Sequence, residues 1–90
     1  MFELKYSKSF KKDIKIYRYN KITLFELEKI LDILISGKEL PYKNLNHKLI
    51  GDFFDCFECH IRPDVLLIYK IDYLTKNIFL LRIGTHSKLF

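Results

Sequence analysis

Near residue 45 the spacing of apolar side chains changes from steps of three and four to steps of two. A helix brings the same face round about every 3.6 residues and a strand every second residue, so the two halves are written for different elements. A chain divided this way predicts segregated helices and strands, an α+β layer. Before the change, Phe2, Leu4 and Tyr6 alternate with Glu3 and Lys5, which predicts a short first strand. Ser7 or Ser9 then offers an N-cap. Phe10, Ile14 and Tyr17 recur at helical spacing, predicting a helix over 7–19. Asn20-Lys21 reads as a break, and Thr23-Leu-Phe-Glu26 has the form of a capping box. Leu24, Leu27, Leu31 and Leu34 follow with Ile30 alongside, and Gly37 stands where a helix-ending glycine belongs. The two helices are expected to form an antiparallel hairpin.

Residues 37–46 contain Gly37 and Pro41 and read as a loop. Strands are expected over 46–49, 53–61, 65–71 and 78–83. Turns fall at Gly51-Asp52, Arg62-Pro63-Asp64 and 73–76. The run Val65–Ile71 is almost continuously apolar, as a central strand is. The expected order over 1–90 is therefore β-α-α-β-β-β-β. It forms one domain, with the helical hairpin packed on one face of a twisted, mainly antiparallel sheet and the other face free for a ligand.

Sixteen Lys and Arg face 11 Asp and Glu, a net charge of +5 and a pI near 9.2. The excess is local: Lys5, Lys8, Lys11, Lys12, Lys15, Arg18 and Lys21 meet a single Asp13. Such a face suits a polyanion, RNA or DNA foremost. The N-terminus lacks the apolar segment of a signal peptide, and no run approaches the ~20 apolar residues of a membrane span. A cytoplasmic protein with no membrane partner is expected. Cys56 and Cys59 have the separation of a metal or redox pair. Three residues apart on a strand they face opposite sides, so no shared metal and no disulfide framework is expected.

The chemistry-bearing residues gather in the second half. His47, His60 and His86 each have charged or polar neighbours, and His exchanges protons near neutrality with little tuning. On the strand 53–61, parity sets Phe53, Asp55, Phe57, Cys59 and Ile61 on one face and Phe54, Cys56, Glu58 and His60 on the other. The same rule groups Ile78, Leu80 and Arg82. Cleaving RNA through its own 2′-hydroxyl needs a base, an acid and positive charge at phosphorus. Asp64, His60 and His86 supply the proton carriers, and Arg82, Arg62 and Lys48 the phosphate partners. A bland reading of each residue stands beside this one. Asp64 is an ordinary turn residue after Pro63, Arg82 is a cross-sheet partner for Asp64 or Glu58, and Phe90 is core packing.

Taken together, Leu45-Asn-His47-Lys-Leu-Ile-Gly51, Phe57-Glu-Cys-His60-Ile-Arg-Pro-Asp64, Leu67-Ile-Tyr69-Lys70 and Arg82-Ile-Gly-Thr-His86-Ser-Lys-Leu-Phe90 resemble the YafQ type of RelE-superfamily toxins. The resemblance implies a RelE-like fold and the toxin of a type II toxin–antitoxin pair. It implies an endoribonuclease that cleaves mRNA, commonly on the ribosome, without metal or cofactor, and that a cognate acidic antitoxin silences. Carried over by position, His47, His60, Asp64 and His86 match the family's acid–base group, Arg82 its phosphate-stabilising Arg and Phe90 its terminal aromatic. Lys48, Glu58 and Arg62 are expected to contact RNA. Arg62 and Val65 stand where the family often has Glu and Trp. Two other readings compete: a ParE-type toxin that inhibits a protein such as gyrase, which has no need of this His/Asp/Arg set, and an RNA-binding module without turnover.

Overall fold

A computed structural model describes residues 1–90, apart from the side chain of Asp52. The elements are β1 (Glu3–Tyr6), α1 (Lys8–Ile14), α2 (Lys21–Ile35), β2 (His47–Lys48), β3 (Phe57–Arg62), β4 (Val65–Asp72), β5 (Asn77–Gly84) and α3 (His86–Leu89). Short 3-10 turns cover Lys15–Tyr17, Tyr42–Asn44 and Gly51–Phe53. The sheet order is β1-β5-β4-β3-β2, with β1 parallel to β5 and the other neighbours antiparallel. The α+β arrangement read from the hydrophobic period is the one observed.

Local chemistry explains the helix ends. Ser7 is the N-cap of α1, its hydroxyl accepting from the Phe10 N–H (2.9 Å). The α-helix stops at Ile14 and tightens into the 3-10 turn rather than running on to Tyr19. The capping box expected at Thr23 is not the start of α2. Asn20 is the N-cap and accepts from the Thr23 N–H (3.1 Å), which places Thr23 inside the first turn, 1% exposed. The C-terminus is as expected: Gly37 has φ +78°, its N–H donates to Leu34, and Lys38 N–H reaches back to Ile33. These two bonds satisfy carbonyls the helix leaves open, in a conformation glycine adopts without penalty.

The core lies between the helices and one face of the sheet. Phe10, Leu27, Ile30 and Leu34 meet Cys59, Ile61, Val65, Leu67, Tyr69, Ile78, Leu80 and Ile83. Each such side chain withdrawn from water stabilises the fold by about 1.5–3 kcal/mol. Val65–Tyr69 is buried on both sides, as its continuous apolar run predicts. The second face has its own smaller cluster of Cys56, Leu66, Ile68 and Leu89, with Leu49, Phe53 and Leu81 packed against it. Leu89 comes from α3, a turn of helix where none was expected, so that face is partly roofed.

Strand limits differ from the period-two reading at three places. The strand expected over 53–61 begins at Phe57, because a 3-10 turn and Asp55 at φ +69° precede it. Phe53 therefore packs with Cys56 rather than opposite it. In β5 the register slips at Ile68/Tyr69, so that Tyr69 faces Leu80 and Ile68 faces Arg82. This bulge moves Arg82 off the face of Ile78 and Leu80, where strict alternation had placed it, and gives that place to Ile83. A second slip, between His60 and Arg62, sets Arg62 opposite Val65.

Where the short edge strands end, side chains take up the backbone of the strands beside them. β1 ends at its pairing with Leu80, and α1 continues beside β5: Ser7 Oγ donates to the Leu81 carbonyl (2.8 Å) and Asp13 accepts from the Ile83 N–H (3.1 Å). At the other edge, Asn44 Nδ2 donates to the His60 carbonyl beyond the two residues of β2 (2.7 Å).

Candidate functional site

The second face carries the polar groups. On β3, Cys59 and Ile61 enter the helix-side core, so Glu58 and His60 point the other way. Cys56 and Cys59 fall in separate clusters on opposite faces, as their spacing requires. Burial pushes the Cys59 thiol up to about 12. Among the described residues, no three His, Cys, Asp or Glu converge in a way that could hold a metal ion.

A cross-strand row runs His47, Glu58, Ile68, Arg82 over β2, β3, β4 and β5. Neighbouring strands lie about 4.8 Å apart, so Glu58 and Arg82 flank Ile68 on strands roughly 10 Å apart. At one end of the row, His47 Nε2 lies 3.4 Å from Glu58 Oε1, the histidine half exposed and the carboxylate buried. His47 Nδ1 is 2.8 Å from the Leu45 carbonyl, which can only accept, so Nδ1 carries a hydrogen. A neutral ring would then turn an Nε2 lone pair on a carboxylate.

At the other end, Arg82 Nε donates to Asp13 Oδ2 (2.7 Å) and Nη2 to Oδ1 (3.2 Å). Asp13 is 4% exposed, and its Oδ2 also accepts from the Ile83 N–H. This carboxylate raises the guanidinium above its ordinary value, chiefly by hydrogen bonding, against the opposing effect of burial. Sequence reasoning gave Arg82 to Asp64 or Glu58 and missed Asp13. The signal was present as the one acid among seven bases over 5–21.

His86 opens α3, whose N-cap Thr85 accepts from the Lys88 N–H (3.3 Å). Its ring centre lies 5.0 Å from that of Phe90, and Phe90 meets Phe53 edge-on at 5.7 Å. Leu89 anchors the same turn on Leu66 and Ile68, which sets His86 and Phe90 over the second face. His60 follows Glu58 on that face and is half-buried. Asp64 is exposed in the β3–β4 turn, close enough to Tyr17 that, after burial, its charge and that of Asp13 raise the phenol.

Two expected RNA contacts stand apart. Lys48 pairs with Phe57, which packs toward the helices, so it is on the opposite face from His47. The bulge turns Arg62 to the side of Val65, where it lines a cavity of about 620 Å³ with Ile22, Glu26 and Lys43. The second face thus carries His47, Glu58, His60, Arg82, His86 and Phe90, while Lys48 lies on the opposite face. Asp64 lies toward Tyr17 on the helix side, and Arg62 borders a cavity that His60 also lines.

Comparison with known proteins gives the family and the fold. The chain is 30% identical over 89 residues to the mRNA interferase toxin YafQ of Escherichia coli K12, covering 98% of this chain and 95% of that one. The crystal structure of a metal-bound toxin from Helicobacter pylori is 40% identical and superposes with a TM-score of 0.91 over the whole of both chains. The crystal structure of the E. coli DinJ–YafQ complex contains a chain 30% identical, covering 100% of this chain and 99% of that one, with a TM-score of 0.87. Residues 2–90 match the family described as the bacterial toxin of type II toxin–antitoxin systems, YafQ, and the chain belongs to that family.

Proposed function

We propose that this protein is an endoribonuclease that cleaves mRNA without a metal, using its own imidazoles, carboxylates and one guanidinium. The observation that carries the reading is the row on the second face: an imidazole–carboxylate pair at one end and an arginine held at two points at the other. His60 or Asp64 takes the proton of the 2′-hydroxyl, whose oxygen attacks phosphorus. His86 gives a proton to the departing 5′-oxygen, and Arg82 offsets the charge on the phosphorane. His47, coupled to Glu58, passes protons to this group, and Phe90 with Phe53 offers rings on which a base can stack. Each proton transfer is worth about 10²–10⁴-fold.

The test is incubation of the purified protein with RNA, with and without chelator and ribosomes, for wild type, His60→Ala, Asp64→Ala and His86→Ala. Cleavage that survives chelation and falls by orders of magnitude in folded His86→Ala is expected. Cleavage abolished by the chelator would overturn the metal-free scheme, and a fully active His86→Ala would overturn the assignment of the acid.

The antitoxin reading has its own support. Ile16, Tyr19, Ile22 and Phe25 are each at least 59% exposed along the joint of α1 and α2. Arg18 lies over Tyr19 and Lys29 over Phe25. Apolar side chains interleaved with bases suit an acidic segment that also carries apolar anchors. Co-purification with a small acidic protein, lost on Ile22→Asp/Phe25→Asp, is the expected result.

A further inference from the structure

Arginine offers two hydrogen-bonding edges: a side-on edge of Nε and Nη2, and an end-on edge of Nη1 and Nη2. In this fold Asp13 takes the whole side-on edge of Arg82. Asp13 is itself held, because Oδ2 also accepts from the Ile83 N–H and the side chain is buried on α1. The guanidinium plane is therefore fixed by one carboxylate bound at three points, and the end-on edge is the one left for a substrate. Arg82 borders a cavity of about 390 Å³ between α1 and the end of the chain, whose other walls include Ser9, Lys12 and Lys88. Three cations and one already engaged carboxylate leave that cavity positive.

We propose that Asp13 is a positioning residue for RNA cleavage, presenting the end-on edge of Arg82 to a phosphate site that Lys12 and Lys88 complete. This rests on the reading of Arg82 as the phosphate-stabilising group, and goes beyond it by naming what orients the guanidinium and what else holds the phosphate. Asp13 touches no substrate; it acts through Arg82 alone.

A double-mutant cycle tests it, read by single-turnover RNA cleavage under conditions where each variant is shown to be folded. Asp13→Asn keeps one acceptor oxygen and cannot hold both nitrogens and the Ile83 N–H as the carboxylate does. It should slow cleavage on the order of 10²-fold, the size of effect that a misplaced group produces. In an Arg82→Ala background the same change should have no further effect. Undiminished cleavage by folded Asp13→Asn, or an equal loss in both backgrounds, would overturn the proposal. Full activity of Arg82→Ala would instead remove the reading beneath it. Lys12→Ala/Lys88→Ala should weaken RNA binding and lower the salt slope of log Kd by about 1.4, at roughly 0.7 per phosphate contact on a single strand. An unchanged slope would overturn the part given to the lysines.

Discussion

The two ends of the polar row hold ion pairs of opposite character. At β5, Arg82 and Asp13 meet through two hydrogen bonds, and the carboxylate is buried and tied to the backbone. At β2, His47 and Glu58 share one contact of 3.4 Å, and the histidine is half exposed on a strand of two residues. The first pair is suited to fixing a charge in place, because three hydrogen bonds hold its carboxylate. The second is held by a single longer contact and opens on solvent through the histidine. A buried, multiply bonded pair and a half-exposed, singly bonded one thus stand at opposite ends of one row.

Breaking the buried pair should have the largest effect. Arg82→Ala is expected to lower single-turnover cleavage by about 10²–10³-fold, as loss of one preorganised charge-stabilising donor does. Asp13→Ala leaves a guanidinium and a buried N–H without their acceptor. It should cost about 1–3 kcal/mol of stability, the penalty of a buried N–H left unsatisfied, measured by urea unfolding. At the half-exposed pair, Glu58→Gln should lower cleavage by about tenfold or more. Its unfolding free energy should change by less than about 1 kcal/mol, since one partner is solvent-exposed. A Glu58→Gln as unstable as Asp13→Ala would erase the contrast.

The smallest expected effect concerns Cys59. Its thiol is raised from 9.0 to about 12 in the folded protein, so the unfolded chain loses that proton first. Stability is unaffected below about pH 9 and falls as pH rises from there toward 12. Iodoacetamide at pH 8 should leave Cys59 unmodified in the native protein and label it in urea, read by mass spectrometry.

Much of the fold was legible because the chain states its periods plainly. Val65–Tyr69, the α2 stripe and Gly37 are local signals whose tertiary meaning is unambiguous. What escaped depended on register. A bulge adds one residue to one strand and changes the face of everything past it, and no side chain near Leu81 announces this one. A second bulge, beyond His60, turned Arg62 aside in the same way, whereas Glu58 and His60 lie in the regular stretch of β3 and share the face that alternation gave them. Asp13 escaped for another reason: its partner is 69 positions away, and only the fold brings α1 beside the uncovered half of β5. The turn of α3 went unread although Thr85 is an ordinary cap, because four residues carry no period.

The shortness of β1 has a consequence for the protein in the absence of any partner. Unpaired β backbone recruits strands from other chains, and a toxin made without its antitoxin would be exposed to that hazard. Ser7 and Asp13 already occupy the Leu81 carbonyl and the Ile83 N–H, as Asn44 occupies the His60 carbonyl across the sheet. Further copies find the ends of β5 and β3 already occupied, which leaves only the four residues of β1 and the two of β2 as open borders. Mutating these three small polar residues should lengthen the free backbone and favour aggregation.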